Sequence, residues 1–115
     1  MNKNKKTSQP KAPPLARRLM DSLVQAETLL DQHKPVEARQ VLEALETRYS
    51  NYPEVLSLLV NASYDMEDYS AYEWAIYRLS RLKRSPEIFI SLAGAYVKTY
   101  RPGLALRCFE EVLQR

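Results

Sequence analysis

Residues 86–109 read PEIFISLAGAYVKTYRPGLALRCF. Phe89, Leu92, Ala93 and Tyr96 recur at three- and four-residue offsets, which places them on one face of a helix. Tyr100-Arg101-Pro102-Gly103 interrupts that face, because a proline disfavours helical geometry in the residue before it. Leu104, Ala105, Cys108, Phe109, Val112 and Leu113 then form the expected inward stripe of a second helix. The stretch reads as two helices joined by a tight turn. No segment of the chain alternates convincingly at period two, so strands are not expected.

The same reading extends backwards. Leu19, Leu23, Ala26, Leu29 and Leu30 make an amphipathic stripe that ends near His33, and Pro35 opens the next helix, where its missing N–H costs nothing. Ala38, Val41, Leu42, Leu45 and Tyr49 line the second helix, which Ser50-Asn51-Tyr52-Pro53 interrupts. Leu56, Leu59, Val60 and Ser63 line the third. Glu67-Asp68-Tyr69 is the next turn, and Ser70 with Glu73 three residues on is expected to form a capping box for the fourth helix. Tyr72, Ala75, Ile76, Leu79 and Leu82 are its expected buried stripe, and Ser85-Pro86-Glu87 starts the fifth. Residues 1–14, MNKNKKTSQPKAPP, carry no periodicity and are expected to be a disordered basic tail ahead of one helical domain, 15–115.

The turns recur. Pro35, Tyr69 and Pro102 are 34 and 33 residues apart, Ala38, Tyr72 and Ala105 keep the same spacing, and Pro53 and Pro86 are 33 apart. A helix–turn–helix unit with a period near 34 resembles the tetratricopeptide repeat family. The last unit is the most similar: Phe89-x-x-Leu92-Ala93-x-x-Tyr96 followed by Ala105-x-x-x-Phe109 matches the family's pattern in spacing and size. The central unit departs from it, with Val60 at a small-residue position and Tyr72 where the family has alanine. Tyr72 is therefore expected to widen or tilt the central helix pair. In the first unit only Ala26, Leu29, Ala38 and Leu42 fit. The resemblance covers roughly residues 19–115 and implies an all-α, right-handed α-solenoid of about three units and six helices.

In that family, ligands lie in the concave face made by the first helix of each pair. Carried over by spacing, the resemblance implies a partner-binding groove of Leu23, Glu27 and Leu30 with Met20 and Val24; of Glu54, Leu58, Asn61, Tyr64 and Asp65 with Ser57; and of Ile90, Val97 and Lys98 with Glu87, Ser91 and Gly94. The family's grip on a terminal carboxylate uses Lys, Arg and Asn. Asn61 alone fits that scheme amid Glu27, Glu54, Asp65 and Glu87, so the expected guest is an apolar peptide or helix with basic flanks. Trp74 and Tyr77 fall off the inward stripe of the fourth helix and are expected at an outer interface, where aromatic side chains bury much area at low entropic cost.

Composition removes other functions. Two glycines make no phosphate-cradling loop, and one His and one Cys make no zinc site, so neither cofactor nor metal is expected. Cys108 reads as a small buried hydrophobe and His33 as a turn residue, and no catalytic constellation emerges. Of the net charge of +3, residues 1–18 carry six basic side chains and no acid, leaving eleven basic against fourteen acidic in the remainder. A mildly acidic body argues against nucleic-acid binding. The absence of a long apolar run or signal-like segment argues against membrane insertion, and the cytoplasm is the expected compartment. Arg78, Arg81, Lys83 and Arg84 read as a solvated helix end that complements the helix dipole.

Helical repeat stacks need a polar outer face on the last element. Leu104, Phe109 and Val112 instead leave an apolar edge at Leu113-Gln114-Arg115. That edge implies a self-capping helix, a fragment, self-association, or a client of the kind covered by small secretion chaperones resembling this repeat family. The expected function is a non-catalytic scaffold that binds a protein or peptide. A chaperone, assembly factor or oligomerisation module is the alternative, followed by RNA binding and, last, an enzyme.

Overall fold

The computed structural model describes residues 14–49 and 52–114, which form six helices and no strand. They are α1 (Pro14–Asp31), α2 (Pro35–Tyr49), α3 (Pro53–Asp65), α4 (Tyr69–Leu82), α5 (Pro86–Lys98) and α6 (Pro102–Leu113). The expected disordered tail lies outside the described residues except for Pro14, which opens α1. Five of these helices begin on a proline, whose φ suits the first helical turn and whose missing N–H would have found no helical acceptor there.

The exception, α4, corrects the expected capping box. Asp68, one residue before the helix, is its cap: Oδ1 accepts from the Ala71 N–H at 3.2 Å. Ser70 lies inside the helix. The carboxylate is a stronger acceptor than a serine hydroxyl at the positive end of a helix. Asp68 is in turn held by Arg39 Nη1 of α2 at 2.7 Å. Glu73 points elsewhere, accepting from Thr99 Oγ1 at 2.6 Å and Arg101 Nη1 at 3.0 Å in the α5–α6 turn.

The three turns within the helix pairs share one backbone design. His33, Glu67 and Tyr100 have φ of 61°, 56° and 64°. The residue after each donates its N–H five residues back: Lys34 to Leu29 at 2.8 Å, Asp68 to Ser63 at 2.9 Å and Arg101 to Tyr96 at 2.7 Å. His33, Glu67 and Tyr100 donate in turn to Leu30, Tyr64 and Val97. This is the Schellman closure, which satisfies carbonyls left open at a helix end. It usually carries glycine at the left-handed position, and here none of the three is glycine.

Helices pack on their neighbours in sequence, and α1 also packs on α3, whereas the backbones of α3 and α5 stay apart and these two helices meet through side chains such as Lys98 and Tyr64. One core cluster joins α1 to α4 around Ala26, Leu42, Val55, Leu56, Leu59, Ala62, Ala75 and Leu79. A second joins α4 to α6 around Ile76, Leu92, Ala93, Tyr96, Ala105 and Cys108, and half-buried Val60 and Ile88 touch both. Fully buried alanines at 26, 38, 62, 93 and 95 let helix backbones come close. Burying Leu42, Leu56 and Ile76 completely contributes about 1.5–3 kcal/mol each.

The expected inward stripe of α6 is corrected. Only Ala105 and Cys108 are buried, while Leu104, Phe109 and Leu113 are exposed and Val112 is half-buried. Among the described residues α6 packs on α5 alone, so Leu106 and Leu113 stay exposed as well. Leu82, at the end of α4, is likewise exposed.

Candidate functional site

Two open clefts run along the side formed by the first helices of the pairs. The larger, of about 340 Å³, lies between α1 and α3 and is lined by Met20, Leu23, Val24, Glu27, Pro53, Glu54, Ser57, Leu58 and, from beyond α4, Lys83. Its apolar floor is partly core: Leu23 and Leu58 are half-buried and pack against the first cluster. Its rim is exposed, with Met20 at 58% and Val24 at 56%. The second cleft, of about 330 Å³, is lined by Val60, Asn61, Tyr64, Asp65, Tyr72 and Ser91, and it separates α3 from α5.

Of the sequence-derived groove residues, Leu23, Glu27, Glu54 and Leu58 thus share one cleft, and Asn61, Tyr64 and Asp65 share the other. Leu30 lines neither, packing instead on the core side of α1. Ile90 and Val97 are exposed on α5 outside the cleft linings. Lys98 lies across two tyrosine rings, its ammonium 4.8 Å from the Tyr69 centroid and 5.8 Å from that of Tyr64.

Those rings belong to a cluster drawn from the aromatic side chains that crowd residues 64–77 of the sequence. Tyr64 ends α3, while Tyr69 and Tyr72 begin α4, and the Schellman turn at Glu67 folds them together. Ring centroids are 5.2 Å apart for Tyr64 and Tyr72, 6.1 Å for Tyr64 and Tyr69, and 6.4 Å for Tyr69 and Tyr72. The tilted and edge-on arrangements are those that aromatic quadrupoles favour. Burial, with the neighbouring Tyr64 second, pushes the Tyr72 phenol up, so it stays neutral.

Trp74 and Tyr77 are each 45% exposed on α4. Trp74 edges a narrow cleft of about 120 Å³ beside Arg39, Glu43, Leu59 and Ser63, on the side of the second helices, with the Arg78 guanidinium 5.0 Å over its ring. The basic cluster at 78–84 therefore divides. Arg78 stacks on Trp74, and Arg84 reaches Glu111 at 3.0 Å and lies 5.4 Å over Phe89.

At the α5–α6 edge, a further cleft of about 230 Å³ is lined by Phe89, Leu92, Tyr96, Leu104, Arg107, Cys108 and Glu111. Burial first, and Glu111 second, push the Cys108 thiol up, which lowers its thiolate fraction. His33 is exposed in the α1–α2 turn. Among the described residues no group of three His, Cys, Asp or Glu side chains could hold a metal ion, and no helix is long and apolar enough to cross a membrane. No family model and no curated protein matches this chain.

Proposed function

We propose that the chain is a non-catalytic protein-interaction module, a right-handed α-solenoid of three tetratricopeptide-like units that receives a partner peptide or helix along α1, α3 and α5. The observation that carries this reading is the pair of clefts on that side, with exposed apolar rims and acidic side chains from Glu27, Glu54 and Asp65. An amphipathic segment would lay its apolar side on Met20, Val24 and Leu58 and keep its basic residues near those carboxylates. The identical Schellman turns at a 33- to 34-residue period support the repeat assignment. The cytoplasm suits such a module.

Selection from a displayed library of short peptides on the whole chain tests the proposal. Basic amphipathic peptides should be enriched, and Met20→Asp and Val24→Asp should each weaken them about tenfold or more. Absence of enrichment, or peptides indifferent to both substitutions with the fold intact, refutes it. A second reading rests on α6, where Leu106 and Leu113 are 59% and 83% exposed: self-association, or a chaperone-like hold on a client, through that edge. Light scattering after size exclusion separates the two. A concentration-dependent mass that Leu106→Glu abolishes favours the edge, and a monomer near 13.4 kDa favours the groove.

A further inference from the structure

We infer that the tyrosine cluster at the α3–α4 turn is a receptor for a cationic side chain, occupied in the partner-free chain by Lys98 and taken over by a lysine or arginine of the bound partner. The inference rests on the peptide-groove reading and names the chemistry of one subsite within it.

Three observations converge. First, an ammonium already sits there: Lys98 Nζ lies within 6 Å of two ring centroids, the range in which a ring's negative face attracts a cation. Second, two of the rings, Tyr64 and Tyr72, edge a cleft open to solvent, with Asp65 and Asn61 in the same lining to complement an arriving cation, while Tyr69 packs against both from outside that lining. Third, α5, which lends Ser91 to that cleft, carries no side chain at Gly94. Ser91, Gly94 and Lys98 fall on one face of α5, and a Cβ added at Gly94 would meet nothing within 4 Å. A glycine in mid-helix weakens the helix, and here no packing inside the chain requires it. It leaves room for another backbone to pass close to α5 on the way to the rings.

Lys98 is the last residue of α5, where the helix dipole favours a cation. Its long stem can swing into solvent without disturbing the core, so the side chain acts as a displaceable plug. The partner's gain is the difference between its own cation and Lys98 on the same rings, which makes the site selective for a side chain presented by an already docked backbone.

The test uses the whole chain and tetramethylammonium chloride as probe, with sodium chloride at equal ionic strength as reference, followed by the NMR signals of the tyrosine rings. Lys98→Met keeps the stem and removes the charge. It should tighten tetramethylammonium binding about tenfold over the unsubstituted chain, and adding Tyr69→Leu should abolish that gain. Tyr64→Leu is the second ring variant, should Tyr69→Leu lose its helical circular dichroism. In the unsubstituted chain the Lys98 ε-methylene protons should be shifted upfield by the rings and return towards ordinary values as the probe is added. Equal binding with and without Lys98, binding that survives removal of the rings, or unshifted ε-protons would each overturn the inference. Because the probe is a small ion, these outcomes do not depend on whether any peptide docks.

Discussion

Tyr100 should be replaceable by glycine with a gain in stability. It holds φ at 64° while 91% exposed, so its ring contributes almost no burial to offset the strain of a left-handed backbone. For an L-residue that conformation costs roughly 1–2 kcal/mol, from the approach of Cβ to the following carbonyl oxygen. Glycine removes the clash but adds unfolded-state freedom worth about 0.5–1 kcal/mol. The difference leaves Tyr100→Gly more stable by about 0.5–1 kcal/mol. For a domain of this size that corresponds to a rise in Tm of about 2–8 °C. Urea and thermal unfolding followed by circular dichroism measure it, with Tyr100→Ala as the control that keeps Cβ and should change little. Glu67→Gly should behave alike. A Tyr100→Gly chain that is no more stable than Tyr100→Ala would show that the left-handed turn is not a source of strain.

Other substitutions follow from contacts already described. Asp68→Asn should destabilise the fold by about 1 kcal/mol by weakening the α4 cap and the Arg39 pair. The Arg39 hydrogen bond, with the Ala71 N–H next, lowers the Asp68 pKa in the folded chain. Its stabilisation is thus present above the unfolded pKa and lost as pH falls through the folded one, so denaturation curves of the two chains should converge below about pH 4. Gly94→Ala should stabilise α5 by about 1 kcal/mol, since the added methyl meets open space, while weakening any peptide selected on the groove. Cys108, 7% exposed, should react with a thiol reagent far more slowly in the native chain than in urea, and equal rates would contradict its burial.

Proline and alanine made the helical frame legible in the sequence. Pro35, Pro53, Pro86 and Pro102 mark helix starts, and Ala38, Tyr72 and Ala105, spaced 34 and 33 residues apart, fall at matching places in the second helices of the three pairs. Asp68 and Ser70 are both good caps, and the Asp68 carboxylate, which takes the role, also pairs with Arg39, twenty-nine residues away and beyond the reach of local sequence signals. Periodicity names the face of α6 that is apolar but is silent on whether anything covers it, hence the exposed Leu104 and Phe109. Leu30 lay on the groove by spacing alone, yet packing at the end of α1 draws it to the core. The Lys98–tyrosine contact joins residues from two units and exists only once the turn at Glu67 has closed.

The ties between units carry an order. Arg39 of the first unit meets Asp68 in the turn of the second, and Glu73 of the second meets Arg101 in the turn of the third. Arg39 and Glu73 occupy matching places 34 residues apart, as do Asp68 and Arg101 at 33, but the signs are exchanged. A duplicated middle unit would set Glu73 against an aspartate, and a deleted one would set Arg39 against Arg101. Each joint therefore accepts its proper neighbour and repels the wrong one. The three hairpins are not interchangeable beads but a sentence whose word order is written in charge.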